Sequence, residues 1–209
     1  MTFYNKYKWL MPSLMFSTVM LLMRVVYTGS VTFVFLQWNL FLAILPLFFT
    51  YKIENGGSKL QVLVYSCLWL LFFPNAMYIT TDLFHLKERE EIALWFDLLL
   101  LLSYALNGVI LGFISLITIE KLLRGFIKHQ YISIIIFGLL CLCGYGIYLG
   151  RYMRWNSWDI VVQPFSLLIN MFQHFVHPFR NREVWMLSSL FGLWLYLLYG
   201  YVKRMKRIL

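Results

Sequence analysis

The chain has 209 residues, of which 61% are hydrophobic and 13% are charged. Soluble domains are about 45–50% apolar and about 25% charged, so this composition excludes an ordinary soluble domain. The net charge is +9, but the sequence has no nucleic-acid-binding motif, so no nucleic-acid partner is expected. A positive charge of this size is typical of membrane proteins whose basic helix ends meet anionic lipid.

Six apolar stretches are each long enough to cross a bilayer, which takes about 20 residues of helix. The spans are predicted at 8–27, 31–51, 60–80, 93–119, 131–150 and 183–202. They predict an all-α fold, a polytopic transmembrane helical bundle, as a single integral membrane domain over 1–209. Lys6 and Lys8 precede the first span as in a signal peptide, but no cleavage site follows, so we expect an uncleaved span.

Several residues within the spans carry local predictions. Arg24, near the far end of span one, is expected to extend its side chain to the membrane interface. Pro74 removes a backbone hydrogen bond and is expected to kink or break span three. The three cysteines are expected to be apolar fillers rather than a disulfide or metal site: Cys67, Cys141 and Cys143. Two pairs of glycines are expected to let helices pack closely: Gly108 with Gly112, and Gly146 with Gly150.

The segment 164–177, between spans five and six, has the pattern of an interfacial amphipathic helix on the outer surface. Its polar face is expected to meet water or headgroups: Gln163, Ser166, Asn170, Gln173, His174 and His177. Its other face is apolar: Phe165, Leu168, Ile169, Phe172 and Phe175. His174 and His177 also have the spacing of a metal pair, although Pro178 ends the helix directly after them.

Basic residues set the expected orientation, because Lys and Arg are enriched in cytoplasmic loops. With the N-terminus inside, eleven of the 18 Lys and Arg residues fall on the cytoplasmic side. The chain is therefore predicted to have both termini in the cytoplasm.

The unusual polar residues collect at the predicted outer ends of several spans, where they are expected to converge near the outer leaflet. Polar groups at membrane depth are costly and suggest function, whereas an interfacial belt of aromatic, snorkelling and solvated side chains is the alternative. Four are candidate catalytic residues: Asp82, His85, Asp97 and Asp159. Six are candidate substrate-binding residues: Asn39, Asn75, Tyr78, Arg151, Arg154 and Asn156.

Two of these pairs have a spacing that fits a particular chemistry. Asp82 and His85 share a face if the helix continues, which fits a metal pair or a carboxylate that orients a general-base histidine; solvated side chains at a helix end are the alternative. Arg151 and Arg154 suit a phosphate or carboxylate, such as an anionic lipid headgroup, or ion pairs with the aspartates. Metal, cofactor and protein partner stay undetermined.

Three stretches together carry a family resemblance: 68–83, which contains Phe-Pro-Asn-Ala-Met-Tyr-Ile-Thr-Thr-Asp, Trp-Phe-Asp-Leu at 95–98, and Gly-Ile-Tyr-Leu-Gly-Arg-Tyr-Met-Arg-Trp-Asn-Ser-Trp-Asp at 146–159. With these stretches the chain resembles an uncharacterised bacterial family of multi-pass inner-membrane proteins, domain of unknown function 1361. The resemblance implies a membrane location and no established activity, so no catalytic residue is carried over.

Three functions fit these observations. The first is an enzyme with a polar site at the extracytoplasmic face that acts on a lipid or lipid-linked envelope substrate. The second is a small transporter or flippase, which the proline in span three favours and the apolar cytoplasmic halves disfavour. The third is a non-catalytic membrane partner of an envelope complex. No phosphate-binding loop or dinucleotide-binding fingerprint is present, which disfavours ATP-driven transport by this chain alone.

Overall fold

The computed structural model describes the backbone of residues 2–208 and the side chains of residues 2–205. The described chain is helical and forms no strand, apart from an isolated antiparallel bridge between Arg89 and Ile92. Its α-helices are α1 (Phe3–Tyr7), α2 (Met11–Thr28), α3 (Phe35–Glu54), α4 (Lys59–Tyr78), α5 (Leu94–Arg124), α6 (His129–Tyr152), α7 (Asp159–Val162), α8 (Pro164–Val176) and α9 (Arg182–Ile208). Two 3₁₀ segments, Lys8–Leu10 and Ile79–His85, follow α1 and α4.

Six helical stretches of the described chain are long and apolar enough to cross a membrane, which confirms the predicted all-α bundle. They are Phe3–Thr28, Phe35–Glu54, Lys59–His85, Leu94–Arg124, His129–Tyr152 and Arg182–Met205. The chain divides into two compact units, unit 1 (Met1–Ile119) and unit 2 (Glu120–Leu209), with the boundary inside α5. The single domain over 1–209 stays a prediction.

Close helix packing holds unit 1 together. A Cβ atom on Gly108 would lie 2.4 Å from the Ala76 backbone oxygen, so the predicted small-residue pair in α5 lets α4 approach closely. The buried Trp69 indole donates to Ser115 Oγ at 3.0 Å across the same two helices. Asn107 joins α5 to α2, because its Nδ2 donates to Ser17 Oγ at 2.8 Å. These contacts fix α2, α4 and α5 in register.

Pro74 does not break its helix, so that half of the prediction is wrong. Helix α4 begins with a capping box between Ser58 and Gln61, continues through Pro74 and ends at Tyr78. The chain then tightens into the 3₁₀ segment Ile79–His85. Residues three apart eclipse one another in a 3₁₀ helix, so the change in helix type alters the direction of the side chains that follow. A kink at Pro74 stays a prediction.

Unit 2 is built on the contact between α6 and α9. A Cβ atom on Gly144 would lie 2.7 Å from the Ser188 backbone oxygen, so these two backbones nearly touch. Helix α8 forms as the predicted amphipathic helix, but His174 is 5% exposed and bonds the Tyr145 hydroxyl through Nδ1 at 3.0 Å. The expectation that His174 meets water or headgroups is therefore wrong. The predicted apolar face is largely exposed and is available to lipid: Phe165, Leu168, Ile169, Phe172 and Phe175.

Candidate functional site

Four helix ends meet at one end of unit 1. Arg24 near the end of α2 bonds Asp97 in the first turn of α5, and Asn39 in α3 bonds Asp82 in the 3₁₀ segment after α4. Antiparallel neighbouring spans place these termini on one side, so residues that are as far apart as Arg24 and Asp97 in sequence become neighbours. We call the set Arg24, Phe33, Asp82, His85, Arg89 and Asp97 the arginine cluster.

The centre of the arginine cluster is a buried carboxylate between two guanidinium groups. Arg24 Nε donates to Asp97 Oδ1 at 2.7 Å, and Arg24 Nη2 donates to Oδ2 at 3.2 Å. Arg89 Nη1 donates to the same Oδ2 at 3.0 Å. The side chains of Arg24 and Asp97 are 0% and 1% exposed, while that of Arg89 is 21% exposed. Both carboxylate oxygens therefore accept hydrogen bonds from a guanidinium group.

The Phe33 ring lies against both arginines. Its centroid is 4.4 Å from the Arg24 guanidinium carbon and 4.9 Å from that of Arg89. Cation–π attraction of this kind stabilises desolvated guanidinium groups. Two positive charges and one negative charge leave the group of Arg24, Arg89 and Asp97 with a net charge of +1, and Arg89 presents part of that charge at the surface.

Arg24 has one polar atom that the fold does not satisfy. Its Nη1 is buried and has no hydrogen-bond partner in the described part of the chain. A buried unpaired donor costs about 1–3 kcal/mol, and more when the group is charged. An acceptor that reached this nitrogen, or additional negative charge next to it, would remove part of that cost.

The second half of the arginine cluster is formed by the 3₁₀ segment. Asp82 is 1% exposed and its Oδ2 accepts from Asn39 Nδ2 at 2.8 Å. His85 Nδ1 lies 3.2 Å from the Asp82 backbone oxygen. Since a carbonyl oxygen only accepts, Nδ1 carries the hydrogen, and in the neutral imidazole Nε2 is then the basic nitrogen. The Phe35 ring, 5.1 Å from the His85 ring between centroids, supports its orientation.

Arg89 connects the two halves. Besides Asp97, it donates through Nη2 to the His85 backbone oxygen at 3.4 Å and through Nη1 to the Lys87 oxygen at 3.2 Å. A group bound to the exposed side of Arg89 would therefore lie close to the residue that carries the imidazole. The arrangement can bind an anion and offers a basic nitrogen beside it.

The structure brings four predicted site residues together. Asn39, Asp82, His85 and Asp97 belong to this end of unit 1, with Asn39 bonded to Asp82. Asn75 donates to the Phe72 backbone oxygen of its own helix at 3.1 Å, and Tyr78 is half-buried at the end of α4. The substrate-binding role of Asn75 and Tyr78 stays a prediction.

The other predicted site residues belong to unit 2. Arg151 lies in the last turn of α6 and is half-buried, and Arg154 follows with a φ of 60°. Asp159 Oδ2 accepts from the Asn156 backbone N at 2.6 Å and from its Nδ2 at 3.4 Å, which closes a local turn directly before α7. The convergence of these four residues with those of unit 1 stays a prediction.

Sequence reasoning missed Arg24 and Arg89 as site residues. The expectation that Arg24 reaches the interface is wrong, because it is 1% exposed and paired with Asp97. The available signal was a charged residue inside an apolar span, which by default has a buried partner. Among the residues that the structure describes, no group of three or more His, Cys, Asp or Glu side chains could hold a metal ion.

The fold and the site together define a polytopic α-helical membrane protein, embedded in the lipid bilayer, with a buried charged cluster at one end of its first unit. The sequence profile of a family described as "protein of unknown function (DUF1361)" matches residues 38–198, and the chain belongs to this family. No curated protein and no solved structure matches the chain.

Proposed function

We propose that this protein is an enzyme of the bacterial inner membrane that acts at the extracytoplasmic face on a lipid or lipid-linked substrate with an anionic headgroup. The observation that carries the proposal is the buried Nη1 of Arg24, which has no hydrogen-bond partner in the described part of the chain, together with the partly exposed guanidinium of Arg89, which bonds the His85 backbone oxygen. The excess of Lys and Arg in the opposite loops supports the orientation.

In this proposal each part of the arginine cluster has a distinct role. Arg89 docks the headgroup anion on its exposed side, because its planar fork suits phosphate and carboxylate. Asp97 holds Arg89 in place and is itself held by Arg24, whose Nη1 has no hydrogen-bond partner in the described part of the chain. Asp97, a candidate catalytic residue in the sequence, is proposed to act as a positioning residue.

His85 acts as the general base in a hydrolysis or transfer at the headgroup. Its Nε2 accepts the proton of an attacking water or hydroxyl and returns it to the leaving oxygen. Asp82, held by Asn39, fixes the 3₁₀ backbone that receives the His85 Nδ1 hydrogen bond. In unit 2, Arg151, Arg154 and Asn156 stay candidate substrate-binding residues and Asp159 stays a candidate catalytic residue.

The test is a mass-spectrometric comparison of lipids. The protein in nanodiscs is incubated with a total bacterial envelope lipid extract, alongside empty discs and a His85→Gln variant. We expect a lipid of changed mass with wild type only, and full activity for His177→Gln, which makes the same substitution at an exposed histidine of unit 2. A lipid profile identical for wild type and empty discs would contradict the enzyme assignment.

The alternatives have less support. The transporter hypothesis depended on an interrupted span three, and α4 continues through Pro74. No specific observation supports the hypothesis of a non-catalytic partner. Co-purification of a second protein in stoichiometric amount would favour it.

A further inference from the structure

Unit 2 contains a cavity that is large enough to bind a small molecule. A cavity of about 620 Å³ opens between the end of α5, the start of α6 and the end of α9. Small-molecule sites typically occupy about 300–1,000 Å³, so this volume suits a ligand. Its lining has a basic part, Arg124, His129, Lys203 and Arg204, and an apolar part that includes Ile132, Ile136 and Leu197.

A buried acid organises the basic part of the cavity. Glu120 is 4% exposed and accepts hydrogen bonds from Tyr199 Oη at 2.6 Å and Lys203 Nζ at 2.6 Å. Arg124 donates to Glu120 Oε1 through Nη2 at 2.5 Å and through Nε at 3.1 Å. One carboxylate thus holds two cationic side chains at the cavity wall.

The cavity keeps a surplus of positive charge. Glu120 neutralises only one of the two cations that it binds, and Arg204 adds a third cation to the lining. The side chains of Arg124 and Lys203 are each 42% exposed, so both remain accessible to an anion that enters the cavity. An arginine and a lysine with accessible N–H groups form strong, charge-assisted hydrogen bonds to phosphate.

We infer that this cavity binds one anionic phospholipid, with its phosphate on Arg124, Lys203 and Arg204 and an acyl chain along Ile132, Ile136 and Leu197. A free phosphate would leave the apolar wall exposed to water. A phospholipid would place its phosphate on the basic wall and cover the apolar wall with an acyl chain. In the predicted orientation this end of unit 2 is cytoplasmic, where basic residues meet anionic lipid. The site is independent of the arginine cluster, because every lining residue belongs to unit 2.

The test is native mass spectrometry of the full chain, titrated in micelles with phosphatidylglycerol, phosphatidylethanolamine of the same chains, or inorganic phosphate. Ser133→Phe fills the cavity and Arg204→Gln removes one charge, and neither change touches a residue bonded to Glu120. Lys121→Gln is the matched control, because this exposed lysine lies beside Glu120 but does not line the cavity.

We expect wild type and Lys121→Gln to retain one phosphatidylglycerol about tenfold more tightly than the phosphatidylethanolamine, because both lipids carry a phosphate but the ammonium group of ethanolamine cancels its charge and is repelled by the lining cations. Ser133→Phe should weaken that binding about tenfold, and Arg204→Gln should reduce the preference for phosphatidylglycerol several-fold. Equal weakening by Lys121→Gln and Arg204→Gln, no effect of Ser133→Phe, or displacement of the lipid by millimolar inorganic phosphate would each overturn the inference.

Discussion

Replacing Asp97 with Asn should lower the free energy of unfolding far more than replacing an exposed acidic residue does. The substitution keeps the size of the side chain but removes the negative charge that pairs with the fully buried Arg24, and it places an N–H group against a guanidinium. Breaking a buried ion pair from one side costs about 3–5 kcal/mol, because the remaining charge is left desolvated. We expect a loss of that size in the free energy of unfolding.

The same unit supplies a matched control. Lys6 and Glu54 form an ion pair at the other end of unit 1, with side chains 33% and 28% exposed. Exposed pairs contribute about 0–1 kcal/mol, so Glu54→Gln should have a small effect. The double variant Arg24→Met/Asp97→Leu should recover most of the stability lost in Asp97→Asn, since replacing a whole buried pair with apolar side chains is often neutral.

The assay is reversible unfolding by SDS in mixed micelles, followed by circular dichroism. The reasoning is refuted if Asp97→Asn and Glu54→Gln cost the same free energy, or if the double variant is less stable than Asp97→Asn. Either result would mean that Arg24 is solvated in the folded protein and is not a buried charge.

Two further predictions concern packing and pH. Gly108→Ala should destabilise the protein by about 1–3 kcal/mol, since the added Cβ would lie 2.4 Å from the Ala76 backbone oxygen. The control is Gly138→Ala, whose added Cβ would have no described atom within 4 Å, so it should be neutral or stabilising in the same SDS titration. Burial lowers the pKa of His174 below its ordinary value, so the unfolded chain takes up a proton first as the pH falls. Stability should therefore decrease below about pH 6.5, the ordinary pKa of histidine. His174→Gln should have a flatter melting-temperature profile between pH 7 and pH 5, and an unchanged slope would contradict the argument.

The six spans were predictable because a helix that crosses a bilayer needs a run of about 20 apolar residues, and such a run is visible in the local sequence. The amphipathic segment 164–177 was predictable for the same reason, as helical spacing alone defines its faces. Orientation of single side chains was harder to predict. His174 turns inward because Tyr145, in a different helix, offers a hydroxyl to its ring.

The candidate site was predicted in part. The outer-end position of Asp82, His85 and Asp97 followed from the topology of alternating spans, and their placement at one end of unit 1 agrees with that topology. The pairing of Arg24 with Asp97 joins residues 73 positions apart, and no local pattern encodes it. Pro74 illustrates a related limit, since a proline predicts a possible break from sequence alone, whereas α4 continues past it.

The central claim is that the arginine cluster of unit 1 receives the anionic headgroup of a lipid. The most direct test is photo-crosslinking in nanodiscs with a phosphatidylglycerol that carries a diazirine beside its headgroup, followed by peptide mapping. We predict labelling within 85–97 that Arg89→Gln reduces strongly and Lys87→Gln, a change of equal charge at a neighbouring exposed lysine, does not. Labelling that is absent from 85–97, or that both substitutions reduce equally, would contradict the account.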